Sequence, residues 1–236
     1  MIYKILKIKV FFFLFSIISN NLFCQIAVKW KLDLETHKAE VQIYNNSKEK
    51  IAFPLDTKSF QAYFSDNYYV SESNWDSNYP FYSFTINAYD IVSKNRVETY
   101  SGTPYLDLSD FEKQRTSIES INKNYNSKIS VWKNKNGLKK DFDAQINYYL
   151  IQHLIFLKPK EKKSFSIPFD LKNITNKNNA IHDSYLLEKN KSYVLFLSLQ
   201  VRNEIYNYLT PSQKQKFKKY KLFAGSLESN KIEFKE

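Results

Sequence analysis

The sequence predicts a mainly β protein, an antiparallel β-sandwich interrupted by a helical insertion, and three observations carry that prediction. Apolar and polar residues alternate with a period of two in one segment after another. Clusters of Asn, Asp, Ser and Pro punctuate those segments. Helical patterns are confined to residues about 105–147, the insertion, and to a short stretch at about 211–220. Two sheets that are each apolar on one face must bury those faces against each other, hence the sandwich.

Ile26, Val28, Trp30, Leu32 and Leu34 alternate with Ala27, Lys29, Lys31 and Asp33. Ala39, Val41 and Ile43 repeat the pattern after the turn Glu35-Thr36-His37, so residues 26–44 read as a hairpin. Asn45-Asn46-Ser47 makes a turn, and Ile51 to Pro54 resumes extended chain. Phe60, Ala62 and Phe64 alternate again, as do Tyr82, Phe84, Ile86 and Ala88. Ser109 and Glu112 have capping-box spacing ahead of the weakly amphipathic set Phe111, Ile118 and Ile121. Leu138, Phe142, Ile146, Tyr149 and Leu150 recur at helical spacing and lead into an apolar run from Leu150 to Leu157, read as a central strand. Past the turn Pro159-Lys160-Glu161-Lys162, Phe165, Ile167, Phe169 and Leu171 alternate. Tyr193, Leu195, Leu197, Leu199 and Val201 form the longest alternating run. Thr210-Pro211-Ser212-Gln213 supplies a Thr cap, Pro at the first helical position and Gln three after the cap, with Phe217 and Tyr220 facing inward. Leu222 to Phe234, broken at Gly225 and at Glu228-Ser229-Asn230, reads as two short strands.

Residues 1–24 read as a signal peptide. Lys4, Lys7 and Lys9 precede the nine-residue apolar run Val10 to Ile18, too short for a bilayer span of about 20 residues. Cleavage after Cys24 leaves residues 25–236 as one domain, with the insertion at about 101–147 and no transmembrane segment. Cys24 carries an alternative reading as a lipidated first residue, anchoring the chain to a membrane. The product is then periplasmic or secreted, or lipid-anchored. Losing a leader with three lysines and no acid lowers the net charge from +11 to +8. A single cysteine excludes an intramolecular disulfide and a thiolate zinc site, and three glycines leave little for a phosphate-cradling loop.

The turn and strand Lys158-Pro159-Lys160-Glu161-Lys162-Lys163-Ser164-Phe165-Ser166-Ile167-Pro168-Phe169-Asp170-Leu171 resemble a unit of the Ig-like domains of secreted bacterial proteins. The segment Phe223 to Ile232 is similar to their closing hairpin, and Asn45-Asn46-Ser47 followed by Ile51-Ala52-Phe53-Pro54 is similar too. The resemblance covers about a third of the chain through turn and strand motifs, and it implies an Ig-like sandwich but no activity. Where such domains usually carry Gly in the Pro-initiated turn, this chain has Lys160.

Nothing in the sequence marks a catalytic centre or a cofactor. His37, His153 and His182 lack metal-ligand spacing, no G-x-S-x-G elbow surrounds a serine, and Asp141 and Asp143 diverge on their helix. Residues 64–82 are the most unusual stretch. Tyr68, Tyr69, Asn74, Trp75, Asp76 and Tyr79 combine rings that stack on sugar C–H faces with groups that bond hydroxyls. The alternative is a loop whose aromatics tuck back onto the sheets. Basic clusters at Lys133 to Lys140, Lys158 to Lys163 and Lys214 to Lys221 suit an anionic envelope component. Export argues against nucleic acid, and only Arg96, Arg115 and Arg202 among 35 basic residues are arginine. The expectation is an exported, non-catalytic binding or structural protein of the bacterial envelope, taking a glycan or a protein through loop 65–79. A hydrolase of envelope or extracellular polymers and a secreted inhibitor or assembly partner are the alternatives.

Overall fold

The computed structural model describes residues 25–64, 70–73, 75–76, 79–102, 111–174 and 182–236. The signal peptide, Cys24, Tyr68, Tyr69, Asn74 and the Ser109 end of the capping box lie outside them. The strands in chain order are β1 (Ile26–Asp33), β2 (Lys38–Asn45), β3 (Ile51–Pro54), β4 (Phe60–Gln61), β5 (Phe84–Asp90) and β6 (Thr99–Gly102). Helices α1 (Phe111–Asn136) and α2 (Asp141–His153) follow, then β7 (Leu154–Leu157), β8 (Lys162–Pro168), β9 (His182–Tyr185) and β10 (Ser192–Val201). A 3-10 turn at Asn203–Tyr208 leads into α3 (Pro211–Phe217), and β11 (Lys221–Leu222), β12 (Gly225–Glu228) and β13 (Ile232–Lys235) close the chain. Strand exceeds helix, 38% to 26%, which makes the fold mainly β.

Pairing is largely antiparallel. The predicted hairpin forms with Ile26 opposite Asn45, and β8 adds to it in the order β1-β2-β8. A five-stranded sheet is built around β10, with β5 along one side and β12 and β13 along the other. β4 extends it, parallel to β5. β3, β7 and β11 form a third sheet, and β6 pairs with β9 in a fourth. Alternation explains the burial: Tyr193, Leu195, Leu197, Leu199 and Val201 of β10 are buried, with half-buried residues between them. Rings from the first sheet meet rings from the second, Trp30 with Phe60 at 6.4 Å and Phe169 with Phe234 at 6.4 Å, in a shared core. Asn230 fastens the two sheets: Trp30 N–H donates to its side-chain oxygen at 2.8 Å, and its amide donates to Trp30 O at 3.1 Å.

Three boundaries correct the sequence reading. Leu150 to Leu157 is not one strand, because α2 runs to His153 and only Leu154–Leu157 is extended. The chain turns at Leu154, whose N–H still bonds Leu150 O, and apolar residues on both sides hide the switch. The helical block therefore ends at His153 rather than at about 147, and its expected start at about 105 lies outside the described residues. The end of the chain makes three strands rather than two. The reading of α3 holds, with both halves of the Thr210–Gln213 capping box present and Pro211 in the first turn. Lys160 takes φ +62, the left-handed position after Pro that a type II turn requires, and its Nζ donates to Asn46 O at 2.7 Å.

Candidate functional site

The described part of the aromatic loop faces inward. Trp75 stacks on Phe81 at 4.9 Å with the planes 6° apart, and its edges meet Tyr149 at 5.6 Å and Phe142 at 6.3 Å. Tyr79 packs edge-on against Phe81 at 5.0 Å. The Trp75 indole N–H is buried without a hydrogen bond, and the Tyr125 hydroxyl lies beside it, its pKa pushed up to about 12 by burial. Of the predicted sugar-binding set, Trp75 and Tyr79 are thus brought together as packing against the core, while Asp76 is exposed. Packing of Trp75 against Phe81, Tyr149 and Phe142 is that of a loop whose rings tuck back onto the core.

Beneath this cluster lies a pair that the sequence did not connect. Asp56 is fully buried, and its carboxylate is 3.6 Å from His153 Nε2. His153 Nδ1 lies 2.8 Å from Tyr149 O. The ring nitrogens thus lie against two oxygens, the Asp56 carboxylate and the Tyr149 carbonyl. Leu55 N–H donates to His153 O at 2.9 Å, so the segment after β3 is tied to the end of α2. The Tyr149 phenol stays protonated well above its usual range, through burial first and the Asp56 charge second. Among the described residues, no three His, Cys, Asp or Glu side chains gather to hold a metal ion.

A second polar knot joins the helices. Asn147 is fully buried, accepts from Trp132 Nε1 at 2.8 Å, and donates to Tyr208 O at 2.6 Å and Gln213 Oε1 at 2.7 Å. Gln213 returns a bond to Asn147 Oδ1 at 3.0 Å and accepts from Thr210 N–H at 2.8 Å. Each amide is satisfied by the others, as a buried polar network requires.

The outer face of the five-stranded sheet differs. Arg96, bridged to Tyr89 beside β5, lies flat on Tyr63 with its guanidinium carbon 3.4 Å from the ring centroid. It donates to Asn87 Oδ1 at 2.7 Å and to the Tyr89 hydroxyl. The same guanidinium carbon is 4.7 Å from the Tyr89 ring. Tyr89 is nearly parallel to Phe196 on β10, 5.9 Å away and 11° apart, and Lys231 lies 5.7 Å over Phe196. Register places these groups in a row across the strands: Tyr63, Arg96, Tyr89, Phe196, Lys231. Each planar face is covered by the next member, so the row presents edges, hydroxyls and N–H groups rather than flat rings. Asn87 is held by Ser198 Oγ at 2.8 Å, which fixes the guanidinium from below. Among the described residues Arg96 makes no ion pair.

Sequence reasoning missed this row because its members are scattered from residue 63 to residue 231. The one available signal was an arginine beside a Tyr-bearing strand in a chain that otherwise uses lysine. The lysine clusters form no comparable array. Lys133 pairs with Asp141 at 2.7 Å and Lys221 with Glu49 at 3.1 Å, while Lys160 bonds a carbonyl. No described helix is long and apolar enough to cross a membrane. No protein-family model, curated protein or solved structure matches the chain.

Proposed function

We propose that the chain is an exported, non-catalytic binding protein of the bacterial envelope, built on an Ig-like sandwich, and that it binds through the outer face of the five-stranded sheet. The supporting observation is the Arg96 row: a line of half-buried planar groups from Tyr63 through Arg96 and Tyr89 to Phe196, with Lys231 over its end. Preorganised groups of this kind lose little entropy when a ligand arrives. Export rests on the leader, whose basic start and short apolar run suit a signal peptide. The inward Trp75 moves the reading away from loop 65–79.

Co-sedimentation with isolated bacterial envelopes tests it. Phe196→Ser and Arg96→Lys are expected to release the protein into the supernatant, while Asp76→Ala in the loop leaves it in the pellet. If the two sheet-face variants pellet like the wild type, the reading is wrong.

A further inference from the structure

Resting on the sheet-face reading, the geometry points to Arg96 as a seat for a carboxylate, and to an acidic polysaccharide as the ligand that carries it. A guanidinium has five N–H donors, and Arg96 gives two of them to Asn87 and Tyr89, which leaves three without an acceptor among the described residues. Tyr63 covers one face at 3.4 Å, so the remaining approach is in the plane of the group. A planar carboxylate matches such an edge with two parallel N–H···O bonds. Lys231 over Phe196 adds a second cation that makes no ion pair among the described residues, and Glu228 opposite Ser198 and Glu233 opposite Val194 border the face. Ser198, Gln200 and Ser226 lie along the same face, with Ser226 bonded to Gln200. Groups that both donate and accept suit a ligand covered in hydroxyls.

The test exploits the scarcity of arginine. The chain has three, so the side-chain Nε–H region of a 15N-labelled spectrum holds three arginine signals, and that of Arg96 is identified by its loss in Arg96→Lys. Oligogalacturonate should move the Arg96 signal saturably while Arg115 and Arg202 stay still. A neutral maltooligosaccharide of the same length should move none of them. The apparent Kd should weaken about tenfold in Arg96→Lys, which keeps the charge but loses the fork. An unmoved Arg96 signal, equal movement of all three, an equal or stronger response to inorganic phosphate, or tighter binding of a poly-glutamate peptide would each overturn the proposal. Envelope binding that depends on Phe196, with Arg96 indifferent to oligogalacturonate, refutes the carboxylate seat and leaves the sheet-face reading intact. A saturable Arg96 shift in a protein that does not pellet with envelopes does the reverse.

Discussion

Trp75 and Arg96 both sit among aromatic rings, and their surroundings are built in opposite ways. Around Trp75 the rings meet edge to face from several directions and close on one another, so the indole is consumed as packing. Around Arg96 the planar groups stand in a single file across the strands, with faces covered and edges open. Aromatic content alone does not mark a binding surface. What separates the two is whether the planar groups close on one another or stand in a row.

The largest effect expected from this contrast is on stability. Trp75→Ala empties the centre of the closed cluster and should cost about 3 kcal/mol, the lower end for a Trp truncation because the ring is only half-buried. Urea unfolding measures it, and a loss below about 1 kcal/mol would mean that the cluster is not a unit of the core. Asn147→Ala comes next, at about 2–3 kcal/mol, because it strands the Trp132 indole N–H and the Gln213 amide in the interior. Replacing Asn147 and Gln213 together by Leu should cost less than the two single changes combined, a non-additivity that a double-mutant cycle reads directly.

The smallest effect is one of pH. Burial raises Tyr125 to about 12, and it holds Tyr82, Tyr149 and Tyr206 protonated beyond the usual range as well. Unfolded tyrosines ionise near pH 10 and these do not, so the unfolded state loses protons first. Their contribution to stability is therefore complete below about pH 10 and, for Tyr125, is lost as the pH rises through about 12. Phenolate absorbance should lag behind that of a free-tyrosine mixture until the protein unfolds. A titration that matches the mixture throughout would show the cluster to be open to water.

The fold and the site were legible to different degrees. β1, β2 and β10 could be read directly because each lays one face on the core, and alternation records that choice residue by residue. β5 was harder, since Phe84 to Ala88 is buried on both faces and Thr85 and Asn87 are polar residues inside. The boundary between α2 and β7 was invisible because neither Gly nor Pro marks it and both sides are apolar. Strand β9 was hidden by its composition, His-Asp-Ser-Tyr, which reads as loop until Thr99–Gly102 pairs with it. The Arg96 row lay beyond any sequence window, being assembled by the register of β5 against β10 and by the bridge at Tyr89. The Asp56–His153 pair is a contact of the same long-range kind.

The clasp between Trp30 and Asn230 bears on when this chain can fold at all. Its two ends are 200 residues apart, and Val28 bridges to Ser229 beside it. A chain delivered amino end first holds β1 without its Asn230 clasp until 200 further residues have been made. A lone hairpin is marginal in water, and a closure across so long a loop is slow. The clasp therefore sets a lower bound on how much chain must exist before β1 is held to the second sheet: the 200 residues between Trp30 and Asn230.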